Sequence, residues 1–452
     1  MVVQKFGGTS VGDPDAVRRL IEIARAARTR DGCGPVVVVS ALSGVTDALL
    51  TVAAEAGAAR VERALSQVEQ LRDRHVAMTR ALVGDAQMGA LAAHVESEFD
   101  QLAAVVKALG VLREVSPGTL DVIAAMGEIL SSRIVAEALI HGGLPGEWVD
   151  ARLVIVTNDD YTRAVPLMRE TSAALRAVVS PLVDAGRVPV LGGFVGATIE
   201  GHTTTLGRGG SDYSCAIVGA GIGAGEIQIW TDVDGMLTAD PRIVPQPRLV
   251  PRLSFAEAAE LAYFGAKVLH PSTIHPAVER NIPVRILNSR KPDGSGTLIT
   301  AEAAPGANPL TAMAAKRGVI VVDITSDRML MAYGFLRRVF EVFERFQTAV
   351  DVVTTSEVSV SVTVDDRRHL DAIVEALSQF AEVAVEPEMA LLCAVGDRLR
   401  ADPVIAARVI GVLEEVPLRM ISQAASRRNI TVIMRQADLP HAMQRLHEEF
   451  FT

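Results

Sequence analysis

Cysteine is scarce in this chain: Cys33, Cys215 and Cys393 are the only three in 452 residues, far apart and without a CxxC pair. That leaves no disulfide framework and no zinc or thiol-redox spacing, so the three read as buried free thiols. Also missing is any apolar run near the ~20 residues that span a bilayer. Val2 and Val3 already read as strand, so neither a membrane span nor a signal peptide is expected, and the chain is placed in the cytoplasm. Excess positive charge is absent too: Lys plus Arg number 44 against 54 Asp plus Glu, a net charge of −10. General attraction to nucleic acid or to anionic lipid is therefore not expected.

What is present is the balance of a soluble globular protein, 49% hydrophobic and 22% charged, long enough for two or three domains. The first three hundred residues alternate short apolar runs with helix-like stretches, the pattern of an α/β fold with a mostly parallel sheet covered on both faces. The four valines from Val36 to Val39, and "VPVLGGFV" at 188–195, suit strands buried on both sides. Between Leu50 and Arg113 the chain is rich in Ala, Leu, Glu and Arg, without proline, which favours a helical insertion. After Leu287 the segment "NSRKPDGSGTLITAEAAPGANPLTA" concentrates Pro, Gly and Asn and marks a boundary. Strand-like "GVIVVDI" at 318–324, a helix through Phe335–Phe346 and alternating "VSVSVTV" at 358–364 follow. A similar order recurs in "MALLCAVG", the helical run from Pro403 to Leu413, "LRMISQAAS" and "NITVIMR", which reads as two small βαβ-type units arranged as a pair. The expected domains are 1–300, 312–388 and 389–452, the last completed by a strand from around 301–315.

Three segments carry chemistry. Lys5 opens "KFGGTSVGDPDAV", a strand running into paired glycines and then into Asp13 and Pro14, a helix cap and first turn. Backbone N–H groups that approach an anion closely, a helix start and a lysine suit a transferred phosphoryl group. The plainer reading is a glycine turn beside a surface lysine. In "TTTLGRGGSDYS" at 203–214, Arg208 stands between glycines and Ser211 and Asp212 open an apolar helix, an anion site unless the latter two are simply caps. In "WTDVDGMLTADPR" at 230–242, a strand end offers Thr231, Asp232 and Arg242 to a nucleotide, although Asp-Gly and Asp-Pro turns account for much of that segment.

With "VSALSGVTDALL" and "FGAKVLHPSTIHPA", these segments stand in the order and spacing of aspartate kinases, and the chain resembles that branch of the amino-acid kinase superfamily. "YGFL" at 333–336 and "VDVVTTSEVSVSVTVD" at 350–365 extend the resemblance to the paired βαββαβ ACT domains of the lysine-sensitive, single-function class. The resemblance implies ATP-dependent phosphorylation of the aspartate side-chain carboxylate to 4-phospho-L-aspartate, the first step of the aspartate family of amino acids (lysine, threonine, methionine). By the same resemblance, Lys5 contacts the transferring phosphoryl group and Asp212 holds Lys5. Arg208 grips the α-carboxylate, Glu128 receives the α-ammonium, and Thr46 and Ser211 touch the substrate. Gly7, Gly8, Ser40, Thr231, Asp232, Leu237, Arg242 and Lys267 belong to the ATP site. Leu237 stands where relatives often carry tyrosine, keeping apolar packing against the base but losing a hydroxyl. Read from the residues alone, Glu128 would be an acidic residue at a helix start, and Thr46 with Asp47 a cap.

The implied effector segment comprises Met329, Gly334, Phe335, Leu336, Val350, Asp351, Thr355 and Glu357, with lysine the first-choice ligand. Asp351 would otherwise be a solvated carboxylate on an edge strand. Met331 and Ala332 precede Tyr333 where relatives are more polar. No protein-held metal is expected, since His270 and His275 fit no ligand spacing, so magnesium should arrive with ATP on phosphate oxygens. A homodimer or larger homo-oligomer through the ACT domains is the implied assembly, and with the sequence ending at Thr452 a fused homoserine dehydrogenase is not expected. A glutamate or acetylglutamate kinase, and an inactive amino-acid-sensing ACT protein, are the alternatives.

Overall fold

The computed structural model describes residues 1–265, 271–302, 308–326, 333–397, 399–423 and 426–452, with only the backbone for 85–88, 271 and 272. The chain forms two compact units. The first comprises residues 1–236, 251–255 and 268–302, the second 237–250, 256–267 and 303–452.

In chain order the first unit contains β1 (Val2–Phe6), α1 (Pro14–Asp31), β2 (Val36–Val39), α2 (Val45–Gly57), α3 (Val61–Leu82), α4 (Asp85–Leu112), α5 (Pro117–His141), β3 (Gly146–Val149), α6 (Met168–Asp184), β4 (Val188–Gly192), β5 (Val195–Ala197), β6 (Thr203–Thr205), α7 (Gly210–Ile222), β7 (Glu226–Thr231) and β8 (Arg252–Ser254). Helix α8 (Phe255–Tyr263) begins in it and continues into the second unit; α9 (His275–Glu279), β9 (Val284–Asn288) and β10 (Thr297–Thr300) complete it.

Eight strands form one sheet in the order β3-β4-β2-β1-β7-β9-β10-β8. Every pairing from β3 to β9 is parallel; β10 pairs antiparallel with β9, and β8 runs parallel to β10. All four valines of β2 are buried, as a central parallel strand requires, because helices cover both its faces. Phe6, Val37, Val39, Val188 and Val190 point into a core shared with α1 to α5. On the other face α7 lies close enough that a Cβ on Gly219 would come within 2.7 Å of Ile227.

"VPVLGGFV" is not one strand. It splits after Gly192 into β4 and β5, and Phe194 between them has φ +66°. The break lets the chain pass between two other segments. A Cβ on Gly192 would lie 2.9 Å from Glu128 O, and one on Gly193 2.7 Å from Ser211 Cβ.

The second unit carries β11 (Ala312–Thr325), α10 (Phe335–Arg345), β12 (Val353–Thr355), β13 (Ser359–Val364), α11 (Leu370–Ser378), β14 (Glu382–Val395), α12 (Pro403–Val412), β15 (Met420–Gln423), β16 (Asn429–Arg435) and α13 (Leu439–Phe451). Its six-stranded sheet runs β12-β13-β11-β14-β16-β15. The two middle strands are long enough to serve both halves: Ala312–Arg317 pairs with Ala390–Val395, and Ile324 and Thr325 pair with Val383 and Glu382. Gly318, at φ +73°, lies at the register shift between the halves. One core gathers Ile320, Val339, Val362 and Leu377, and another Leu392, Val409, Val432 and Leu446. Ala239, Ile243 and Val244, from the sequence between β7 and β8, belong to the latter core. Among the described residues no helix is long and apolar enough to cross a membrane.

Candidate active site

Parallel strands bring their carboxyl ends to one edge of the sheet, where loops and helix starts create room for a ligand. Pairing holds to the end of the strands: Ser40 N–H donates to Phe6 O at 3.0 Å and Gly193 N–H to Val39 O at 2.8 Å. Beyond this edge lies a cavity of about 570 Å³ whose lining includes Lys5, Ser40, Thr46, Glu128, Arg208, Ser211 and Asp212. Every residue assigned from sequence to catalysis or to aspartate binding lines it.

Lys5, the penultimate residue of β1, is 9% exposed. Its Nζ lies 2.7 Å from Asp212 Oδ1 in the first turn of α7. The cap of α7 is Gly209, at φ +73° and with no side-chain hydrogen bond, so Ser211 and Asp212 are not caps. Asp212 fixes an ammonium that would otherwise sweep a wide arc, and the low-dielectric surroundings strengthen that hold. Arg208 is exposed and has no acidic partner within ion-pair distance among the described residues, so its planar fork is open to a carboxylate.

Glu128 lies in the middle of α5, not at a helix start, which removes the dipole explanation for an acidic residue there. It is 3% exposed. Burial pushes its carboxyl up to about 8 against the weaker pull of backbone donors at Ala41 and Glu128, the Thr46 hydroxyl and the Lys5 charge. Thr46 Oγ1 donates to Glu128 Oε1 at 3.4 Å, while Oε2 has no partner among the described residues. A buried carboxyl with one oxygen unused is suited to a ligand that brings its own donors. The cap of α2 is Gly44, without a side-chain bond, so Thr46 and Asp47 do not cap that helix.

Next to β1, Gly7 N–H donates to Trp230 O at 3.1 Å, so its N–H is already taken and the tight turn begins at Gly8. A Cβ on Gly8 would stand 3.2 Å from Ala41 O, so glycine keeps this turn tight. Asp13 caps α1 by accepting from Ala16 N at 2.8 Å. Thr231 ends β7 beside β1, and its Oγ1 donates to the exposed Asp232 at 3.3 Å. Leu237 and Arg242 belong to the second compact unit. There Leu237 is half-buried and bridges Leu249, and Arg242 forms a two-point pair with Asp240. Lys267 lies outside the described residues. Among the described residues no cluster of three or more His, Cys, Asp or Glu could hold a metal ion.

In the second unit Gly334 caps α10 at φ +84°, Phe335 is buried in the adjoining core, and Leu336 is exposed. Val350 packs on that core, Thr355 lies on the exposed strand β12, and Glu357 is exposed. Asp351 is not a solvated edge carboxylate. Lys316 Nζ lies 2.7 Å from it, and Tyr263 Oη donates to it at 3.1 Å. Met329, Met331 and Ala332 lie outside the described residues.

Sequence reasoning passed over Asp121, Thr162, Phe194 and Thr205, which also line the cavity. Asp121 had a signal: it stands seven residues before Glu128, on the same face of one helix. Thr162 and Phe194 reach the cavity through loops, at φ +71° and +66°, which no periodicity marks.

Comparison with known proteins fits this arrangement. Residues 1–288 match the amino acid kinase family and residues 392–450 an ACT domain. Aspartokinase 1, chloroplastic, of Arabidopsis thaliana is 37% identical, the match covering 99% of this chain and 80% of the relative. The solved structure of E. coli aspartokinase III with lysine and aspartate is 33% identical, with complete coverage of both chains and a TM-score of 0.84. The same enzyme with aspartate and ADP superposes with a TM-score of 0.83, again at 33% identity and full coverage.

Proposed function

The chain belongs to the aspartokinases of the amino acid kinase family, and we propose that the cavity at the carboxyl edge of its sheet holds aspartate for attack on the γ-phosphate of ATP. The enzyme is an aspartate kinase. In the reaction a side-chain carboxylate oxygen forms a bond to the γ-phosphorus, the bond from that phosphorus to the β,γ-bridging oxygen breaks, and ADP departs with the electron pair.

The attacking carboxylate is already ionised at neutral pH, so no general base is needed; the barrier is repulsion between two anions. Lys5 is assigned to the phosphoryl group in transit, held by Asp212. A fixed cation where charge passes in the transition state lowers the barrier without reorganising at that moment. Arg208 takes the α-carboxylate, with Ser211 and Thr46 beside it, and Glu128 takes the α-ammonium. The observation that carries this reading is the convergence on one cavity of a tethered ammonium and, among the described residues, an unpaired guanidinium and a buried carboxyl with an unused oxygen.

For the nucleotide, the turn at Gly7 and Gly8, Ser40, Thr231 and Asp232 are supported by their place at the ends of neighbouring parallel strands. Leu237, Arg242 and Lys267 complete the assignment from the sequence motifs. Magnesium would reach the site with ATP and screen its phosphate charge. The phosphate oxygens would be its main ligands.

E. coli aspartokinase III has been solved with lysine, aspartate and ADP, and for this chain we propose lysine feedback through the segment from Met329 to Leu336 and from Val350 to Glu357. A homodimer or larger homo-oligomer joined through the regulatory sheet, in the cytoplasm, completes the proposal. The short exposed edge strand β12 is the support for that joint.

The deciding experiment measures acyl-phosphate formation from ATP with aspartate, glutamate and N-acetylglutamate. Aspartate should be preferred by at least a hundredfold in kcat/KM. Equal or better use of glutamate would sink the assignment of the cavity.

A further inference from the structure

We infer that Asp121 is a positioning residue that aims Arg208 into the cavity. The inference rests on the reading of Arg208 as the holder of the substrate α-carboxylate. Asp121 stands on α5 two turns ahead of Glu128, and the residue is 1% exposed. Its carboxylate accepts from two separate stretches of chain. Thr162 N–H lies 2.9 Å from Oδ2 and 3.1 Å from Oδ1; Thr205 N–H donates to Oδ2 at 3.0 Å, and Thr205 Oγ1 to Oδ1 at 2.6 Å.

All three donors are neutral, so this buried anion is stabilised by hydrogen bonds from groups that must stay in place. Thr162 is a β-branched residue at φ +71°, a conformation that persists only where the surroundings impose it. Thr205 is the last residue of β6, and the chain runs from it through Leu206 and Gly207 directly to Arg208. The two stretches are also joined to each other. Ala164 N–H donates to Thr205 O at 2.8 Å, and a Cβ on Gly207 would meet Thr162 O at 3.2 Å. Arg208 itself is exposed and makes no ion pair among the described residues, so what the fold fixes is the backbone from which its side chain springs. Asp121 grips both the root of that backbone, at Thr205, and the loop it leans on, at Thr162.

Asp121→Asn tests this at nearly constant volume, since the new amide N–H₂ faces N–H groups that had an acceptor. The aspartate KM should rise tenfold or more, while the ATP KM stays within twofold and kcat within about threefold. In an Arg208→Met background the same change should cost less than twofold further in kcat/KM for aspartate, because the group being positioned is gone. Equal increases in both KM values, or a full tenfold loss on top of Arg208→Met, would overturn the inference and leave Asp121 a general structural residue. An Arg208→Met enzyme with normal aspartate KM would instead overturn the reading of Arg208. Should Asp121→Asn not fold, Thr205→Val removes only the hydroxyl donor. It should raise the aspartate KM threefold to fivefold and leave the ATP KM alone; no change in either would count against the inference.

Discussion

Lys5 Nζ and Asp212 Oδ1 stand 2.7 Å apart, joining the end of the central strand β1 to the first turn of α7. The pair fixes the cation at the mouth of the sheet, so the two partners should fail differently. Lys5→Ala is expected to lower kcat by a factor of about 10³ or more while leaving aspartate affinity within a few fold, the pattern for a group acting mainly in the transition state. Asp212→Asn leaves the ammonium present but unanchored and should cost less, about 10²-fold. Steady-state kinetics with calorimetric aspartate binding separates the two.

Glu128 gives the enzyme a pH signature. Its carboxyl, pushed up to about 8 by burial, is mostly protonated in the free enzyme at pH 7. An ammonium needs the ionised form, so the aspartate KM should fall by about tenfold per unit as pH rises towards 8 and flatten above it. Glu128→Gln should show a higher KM without that slope.

The same group links pH to stability with the opposite sign. Between the ordinary value of 4.5 and about 8 the folded state binds this proton more readily than the unfolded chain. Its contribution to stability is therefore full below 4.5 and declines as pH rises through that window. Without aspartate, the melting temperature of wild type should drop from pH 6 to pH 8 more than that of Glu128→Gln, and aspartate should narrow the difference. Thermal melts at the two pH values, with and without ligand, check this.

Gly193 threads between strand and helix where a Cβ would lie 2.7 Å from Ser211 Cβ and 2.8 Å from its Cα. Those atoms belong to the first turn of α7 and cannot rotate away as a flexible side-chain tip would. Gly193→Ala should displace Ser211 and Asp212 together, lower stability by about 1–3 kcal/mol as overpacking does, and reduce kcat/KM for aspartate at least a hundredfold. Denaturant unfolding and kinetics on the same preparation test both.

Asp351 already has a cation. Lys316 Nζ lies 2.7 Å from it and 2.7 Å from Asp365, so an amino-acid ammonium would have to share or displace Lys316. Lys316→Met should lower stability by about 1–3 kcal/mol, less than for a fully buried pair because Lys316 and Asp365 are partly exposed. It should also shift lysine inhibition to lower concentration, and Asp351→Asn should weaken or remove inhibition. A dose–response curve for each variant is the measurement.

Much of the site could be read directly from the chain because its chemistry is local. A strand running into paired glycines, Arg208 between glycines, and Asp13 before Pro14 specify turn and helix-start geometry within a few residues. The apolar run of β2 declared a strand buried on both faces, and the alternation of β13 a β-strand. The break in "VPVLGGFV" could not be seen this way, since Gly192 and Gly193 answer to Glu128 and Ser211, which come from elsewhere in the sequence.

Residue types and their order pointed to a glycine turn suited to phosphate, to Arg208 as a candidate carboxylate grip and to a paired regulatory part. Tertiary structure alone decided that Glu128 sits mid-helix in a buried wall, with its proton held to higher pH, and that Asp121 and Asp351 are occupied carboxylates, one by two backbone N–H groups and the Thr205 hydroxyl and one by Lys316. The reason is physical: helix and turn propensities act over a few residues, whereas desolvation and ion pairing depend on whatever the fold brings within a few ångströms.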